Sequence, residues 1–106
     1  AGAGFGLGPW LYPAVTAVGI PEEDMLGVAR LLLKRLAALL AGCAADATRY
    51  PNLHFFDSTE LDVTPAEIGS DGESGDWINE IHLTWRGYEK VATAWSKSIE
   101  EVLARR

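Results

Sequence analysis

The C-terminal stretch constrains the chain most. Tyr88, Val91, Ala92, Trp95, Ile99, Val102 and Leu103 recur at steps of three and four, so they share one face of a long helix. Glu89, Lys90, Lys97, Glu100 and Glu101 take the other face, and Thr84 stands where an N-cap belongs. A second stripe, Met25, Ala29, Leu32, Leu33, Leu36 and Leu40, follows Pro21 and the acidic trio Glu22, Glu23 and Asp24, which suit the first turn of a helix. The spacing predicts helices over 21–47 and 84–104. Both stripes read as core-packing faces, and each needs a surface to cover it.

Between the helices, "YPNLHFFDS" opens on a Pro-Asn turn signal and runs into an aromatic-rich apolar stretch, so residues 53–57 are expected as a buried strand ending in Asp57. "AVTAV" (14–18) reads as a short strand or as part of a loop. Residues 1–20 form an extended, Gly/Pro-rich entry with Phe5, Trp10 and Tyr12 as anchors. The run Gly2, Gly4, Gly6, Gly8 is no phosphate loop, because no strand precedes it and Pro9 stands where a helix should begin. Residues 58–83 make a polar, acidic loop that carries His82.

Alternating helix and strand imply an α/β class with a mainly parallel sheet. One firm strand is too little sheet for two amphipathic helices. Residues 1–106 are therefore expected to be a single partial α/β domain, the C-terminal part of something larger, and the isolated chain is expected to self-associate.

With 48% hydrophobic residues the chain can bury a core. Its formal net charge of −6 and pI near 4.7 argue against nucleic acid or an anionic membrane as partner. No apolar run approaches the ~18 residues of a membrane span. Cys43 is the single cysteine, which excludes an intrachain disulfide and a cysteine-based metal site. His54 and His82 lack ligand spacing, and "DGESGD" lacks the calcium-loop pattern, so neither a metal nor a cofactor is expected. The start, "AGAGFGLGPW", lacks an initiator Met and the basic region of a signal peptide, and it reads as processed or truncated. The compartment, cytoplasmic or exported, stays open.

His82 stands at the end of the long loop, just before the last helix. A histidine there is either a polar residue at the helix mouth or a general base at neutral pH. A base needs a nucleophile to activate and a group to orient it, and Asp76, Asn79 and Glu80 are the candidates close in sequence. No serine lies in a Gly-x-Ser-x-Gly elbow. Ser70 and Ser74, in "GSDG" and "GESG", read as turn residues, and Ser96 and Ser98 are mid-helix. Cys43 reads as buried and inert.

"DWINEIHLTWRGYEKVA" resembles the C-terminal histidine motif of SGNH (GDSL-type) serine hydrolases through Trp77, Asn79, Glu80, Ile81, His82, Thr84, Gly87 and Tyr88. "GPWLYPAV", "GIP", the Leu-rich helix and "YPNLHFFDS" resemble the same branch in the same order, so the likeness spans about residues 8 to 104. The resemblance implies a three-layer α/β/α, flavodoxin-like fold and hydrolysis of a small ester or thioester, with His82 as base. The nucleophile's Gly-Asp-Ser segment and the oxyanion-hole segments of that family have no counterpart here, so the serine is expected from a missing N-terminal portion. The family's acid position, three before the histidine, is Asn79; Asp76 is the substitute, or the site runs as a Ser–His dyad. Trp77 and Trp85 are expected either to wall the substrate pocket or to pack the loop. A non-catalytic α/β binding or assembly module that self-associates is the alternative.

Overall fold

The computed structural model describes residues 8–106. Phe5 and the glycines at 2, 4 and 6 lie outside the described residues. Among the described residues there are three α-helices, α1 (Tyr12–Ala17), α2 (Glu22–Ala45) and α3 (Trp85–Ala104), with a 3-10 turn at Ser58–Glu60.

The parallel sheet expected from the sequence is absent among the described residues. The β-type pairings there are isolated antiparallel bridges, Ser74 with Trp77 and Trp77 with Leu83. The class is therefore helical, not α/β, and the three-layer α/β/α arrangement is overturned with it. Residues 53–57, expected as a strand, are irregular. A strand is stable only when neighbouring chain takes its backbone hydrogen bonds, and among the described residues no strand pairs with this run. Asp57 instead turns its carboxylate onto the backbone N–H of Thr59 at 2.9 Å, starting the 3-10 turn. Residues 14–18, read as strand or loop, fall largely in α1, where Pro13 in the first turn presets the helical φ.

The buried core is small and lies where α1 meets the first half of α2. Met25 and Ala29 are buried there against Leu11, Tyr12, Val15, Ile20 and Leu26. Beyond Ala29 the stripe expected to pack is largely open: Leu32 is 61% exposed, and Leu33, Leu36 and Leu40 are exposed too. On α3 only Gly87 is buried; Tyr88 is exposed, and Trp95, Ile99 and Leu103 stand exposed along a groove of about 380 Å³ that Leu53, Phe55 and Phe56 also line. These faces have the period of packing faces, but among the described residues no sheet covers them. The radius of gyration, 15.9 Å, exceeds the roughly 13 Å of a compact chain this long. The accessible surface of 7364 Å² exceeds the ~5,800 Å² expected for a compact monomer of this mass. Among the described residues no helix is long and apolar enough to cross a membrane.

The long loop is ordered by polar ties. Asp76 N–H donates to Thr64 O at 3.0 Å, and Thr84 N–H donates to Asp76 O at 2.7 Å. Thr84 caps α3, its hydroxyl accepting from Gly87 N–H at 3.2 Å. Gly87 is glycine for space, because a Cβ there would meet Asp76 O at 2.7 Å and the Leu83 side chain at 2.9 Å.

The strongest tie reaches across the chain. Glu80 is 1% exposed, and its Oε1 accepts from the backbone N–H groups of Trp10 (3.1 Å), Leu11 (3.2 Å) and Tyr12 (3.1 Å). These amides begin α1, whose own N-cap, Leu11, has no side chain able to cap it. A remote carboxylate therefore caps the helix. Gly8 passes so close that any Cβ would collide with the Glu80 carboxylate. Replacing Glu80 by Ala leaves three backbone donors without their acceptor, so Glu80→Ala is expected to lower stability by about 2–4 kcal/mol. Urea unfolding followed by circular dichroism, with amide exchange at Trp10 to Tyr12, checks this; an unchanged midpoint and unchanged protection would show that the carboxylate does not hold α1.

Candidate functional site

His82 is half-buried in the turn between the bridged segment at Trp77 and the start of α3. The turn is closed by Ile78 N–H donating to His82 O at 2.9 Å. Inside it, Asn79 Oδ1 accepts from the backbone N–H of Ile81 (3.1 Å) and of His82 (3.0 Å), and it lies 3.0 Å from the His82 Nδ1. The two backbone donors identify that atom as oxygen, because an amide NH₂ could not accept from them. Facing an acceptor, the ring nitrogen must be Nδ1–H. In the neutral ring Nε2 then carries the lone pair, which is the tautomer a general base uses.

The other two candidate orienters serve elsewhere. Asp76 is buried, and its Oδ2 accepts from Lys90 Nζ at 2.6 Å and from Thr64 N–H at 2.8 Å. The Lys90 hydrogen bond, reinforced by that of the Thr64 amide, holds the Asp76 carboxyl below its ordinary value. It is thus ionised at neutral pH and committed to Lys90, and it makes no hydrogen bond to His82. Glu80 anchors α1, as described above. Asn79 alone of the three meets the imidazole.

Trp10 and His82 form a T-shaped ring pair, with centroids 5.3 Å apart and planes at 73°. The Glu80 carboxylate holds the Trp10 backbone, so the same acid that caps α1 sets this aromatic beside the histidine. Sequence reasoning took Trp10 for an anchor of the entry segment and missed this pairing. The available signal was Glu80 itself, an acid between Asn79 and His82 that neither of them needs.

Trp77 is half-buried and contributes to two clefts. One, of about 320 Å³, is apolar and is walled by Leu11, Val15, Leu32, Leu33 and Ile81. The other, of about 150 Å³, includes Asn79, Ser70 and Asp71. Trp85 is 71% exposed on the first turn of α3, under the guanidinium of Arg86, 5.7 Å from its ring centre. His54 is exposed in the irregular segment, and Cys43 is half-buried on α2.

Among the described residues no serine hydroxyl bonds His82. Ser74 Oγ accepts from Glu67 N–H at 3.0 Å, and Ser70 Oγ is buried without a partner. Nor is any group of three His, Cys, Asp or Glu side chains gathered as a metal site among those residues.

The Asn79 contact makes a spectroscopic prediction. Nitrogen-15 shifts of the neutral His82 ring should report the Nδ1–H tautomer in the native chain and a mixture in Asn79→Ala. An Nε2–H ring in the native chain would mean that Asn79 does not orient it. No family model, curated protein or solved structure matches the chain.

Proposed function

We propose that the chain is the histidine-bearing part of an SGNH-type hydrolase of small carboxylic esters, with His82 as general base for a serine supplied from outside these residues. The carrying observation is the Asn79 Oδ1 to His82 Nδ1 contact of 3.0 Å, with the oxygen pinned by two backbone amides. It presents Nε2 as a proton acceptor. In the reaction Nε2 takes the serine hydroxyl proton as Oγ attacks the ester carbonyl, then returns it to the departing alkoxide. Water repeats the sequence on the acyl-serine. Trp10 pairs with the His82 ring, Trp77 lines the cleft that Asn79 also lines, and Trp85 is exposed on the first turn of α3.

Two measurements test it. The purified chain should give no adduct with a fluorophosphonate probe by intact mass; a stoichiometric adduct lost in His82→Ala would place the nucleophile within these residues and overturn the external serine. In a polypeptide carrying both His82 and the nucleophile, His82→Ala should lower kcat/KM on p-nitrophenyl esters by about 10²–10⁴-fold. An unchanged kcat/KM would remove His82 from catalysis.

The exposed apolar faces of α2 and α3 favour a second reading, a helical assembly module that works by self-association without catalysis. Sedimentation velocity tests this second reading. Species heavier than a monomer are expected, and a monodisperse monomer would remove this reading.

A further inference from the structure

Trp10, Leu11 and Tyr12 all give their backbone N–H groups to Glu80, yet their side chains go different ways. Leu11 and Tyr12 pack against the core of Met25 and Ala29. Among the described residues Trp10 is not one of those packed on that core; it is 52% exposed, and its ring pairs with His82. A tryptophan left half in solvent is not placed by burial. Its place follows from its backbone, which Glu80 Oε1 holds at 3.1 Å while Gly8 leaves room for the carboxylate.

The imidazole has a freedom that this ring can remove. Its Cγ is fixed to the backbone through Cβ, and its Nδ1 is fixed by Asn79 Oδ1 at 3.0 Å. Those two points define an axis about which the ring can still tilt, and Nε2 lies off that axis. A hydrogen bond stays favourable over roughly 30° of misalignment. A reacting group has to be held within about 10–20° of its productive direction. The Asn79 contact therefore sets the tautomer without fixing the aim of the Nε2 lone pair. Any tilt moves the imidazole relative to the Trp10 indole, which at 5.3 Å between centroids is already in contact with it.

We infer that Trp10 is a positioning residue for His82. Asn79 selects the tautomer, Trp10 restrains the tilt, and Glu80 holds Trp10 where it can do so. Residues 79–82 thus supply both restraints on their own histidine, one directly and one by binding the backbone 70 residues earlier in the chain. The catalytic role of Trp10 rests on the reading of His82 as a base, whereas the restraint itself does not.

The test compares the intact native chain with Trp10→Ala and Trp10→Phe. Alanine keeps the N–H that Glu80 accepts, so α1 stays capped and the urea midpoint should hold. Carbon-13 relaxation at the His82 ring reports its order on the picosecond–nanosecond scale. The native ring should match a rigid backbone, with an order parameter of about 0.85, and Trp10→Ala should drop it below about 0.6. Trp10→Phe should restore most of the order, and the Nδ1–H tautomer should persist in all three chains. A loose ring in the native chain, which needs no variant to observe, would overturn the restraint, as would an equally rigid ring in Trp10→Ala. In a polypeptide carrying both His82 and the nucleophile, Trp10→Ala should lower kcat about 2–10-fold at unchanged KM, and Trp10→Phe should recover it. A raised KM at unchanged kcat would make Trp10 a substrate contact and overturn its positioning role. The relaxation measurement involves no turnover, so the restraint can fail while the His82→Ala kinetics stand, and the reverse.

Discussion

The arrangement around His82 depends on one buried carboxylate. Glu80 comes from the loop before α3 and takes three amide protons at the head of α1, 68 to 70 residues earlier in the chain. Three convergent N–H groups are the partners that make a charge tolerable at 1% exposure. The geometry also explains its neighbours. Pro9 has no N–H to give, and Oε2 is the carboxylate oxygen left without a partner, lying against Gly8, where a side chain would not fit. This one group fixes the backbone at the head of α1, and with it the residue whose ring pairs with His82.

Within five residues, Asp76, Asn79 and Glu80 perform three different tasks. Asp76 ties the loop to Lys90 and Thr64, Asn79 orients the imidazole, and Glu80 holds α1. Local sequence showed that polar groups capable of orienting His82 were near, but not which one would do so. Asn79 is decided locally, since its oxygen closes onto the backbone two and three residues ahead. The other two are decided by partners far along the chain: Lys90 fourteen residues after Asp76, and the amides at 10–12 for Glu80. No periodicity in 76–90 encodes those distances. Thr84 and Gly87 were legible because capping and close approach are consequences of position in a helix, which the α3 stripe had already established.

The strand expectation failed for a different reason. Leu53, Phe55 and Phe56 have the composition of a buried strand, yet composition supplies only half of a sheet, and the other half is a neighbour's backbone. Without that neighbour the aromatic run lies irregularly beside α3, and the leucines of α2 past Ala29 stay in solvent. The periods of α2 and α3 were read correctly. What periodicity cannot report is whether an opposing surface is present, and here that surface is missing for most of both helices. An excess of roughly 1,500 Å² of accessible area over a compact monomer is comparable to what one partner contributes to an obligate interface.

The amide at position 79 shapes the chemistry proposed for His82. A carboxylate in that place would both orient the imidazole and balance the imidazolium formed as the serine proton transfers. An amide does the first and not the second. It also carries a hazard that a carboxylate lacks, for an asparagine free to turn could offer its NH₂ and force the ring into the tautomer that cannot act as base. The backbone N–H groups of Ile81 and His82 remove that freedom, because they accept no arrangement but oxygen toward them. Asn79 therefore gives His82 the geometry of a triad base with no countercharge from that position, and the Asp76 carboxylate, held by Lys90, does not supply one. Among the described residues the aromatic in contact with the imidazole is Trp10, in a T-shaped pair with centroids 5.3 Å apart, and an uncharged ring supplies no countercharge either.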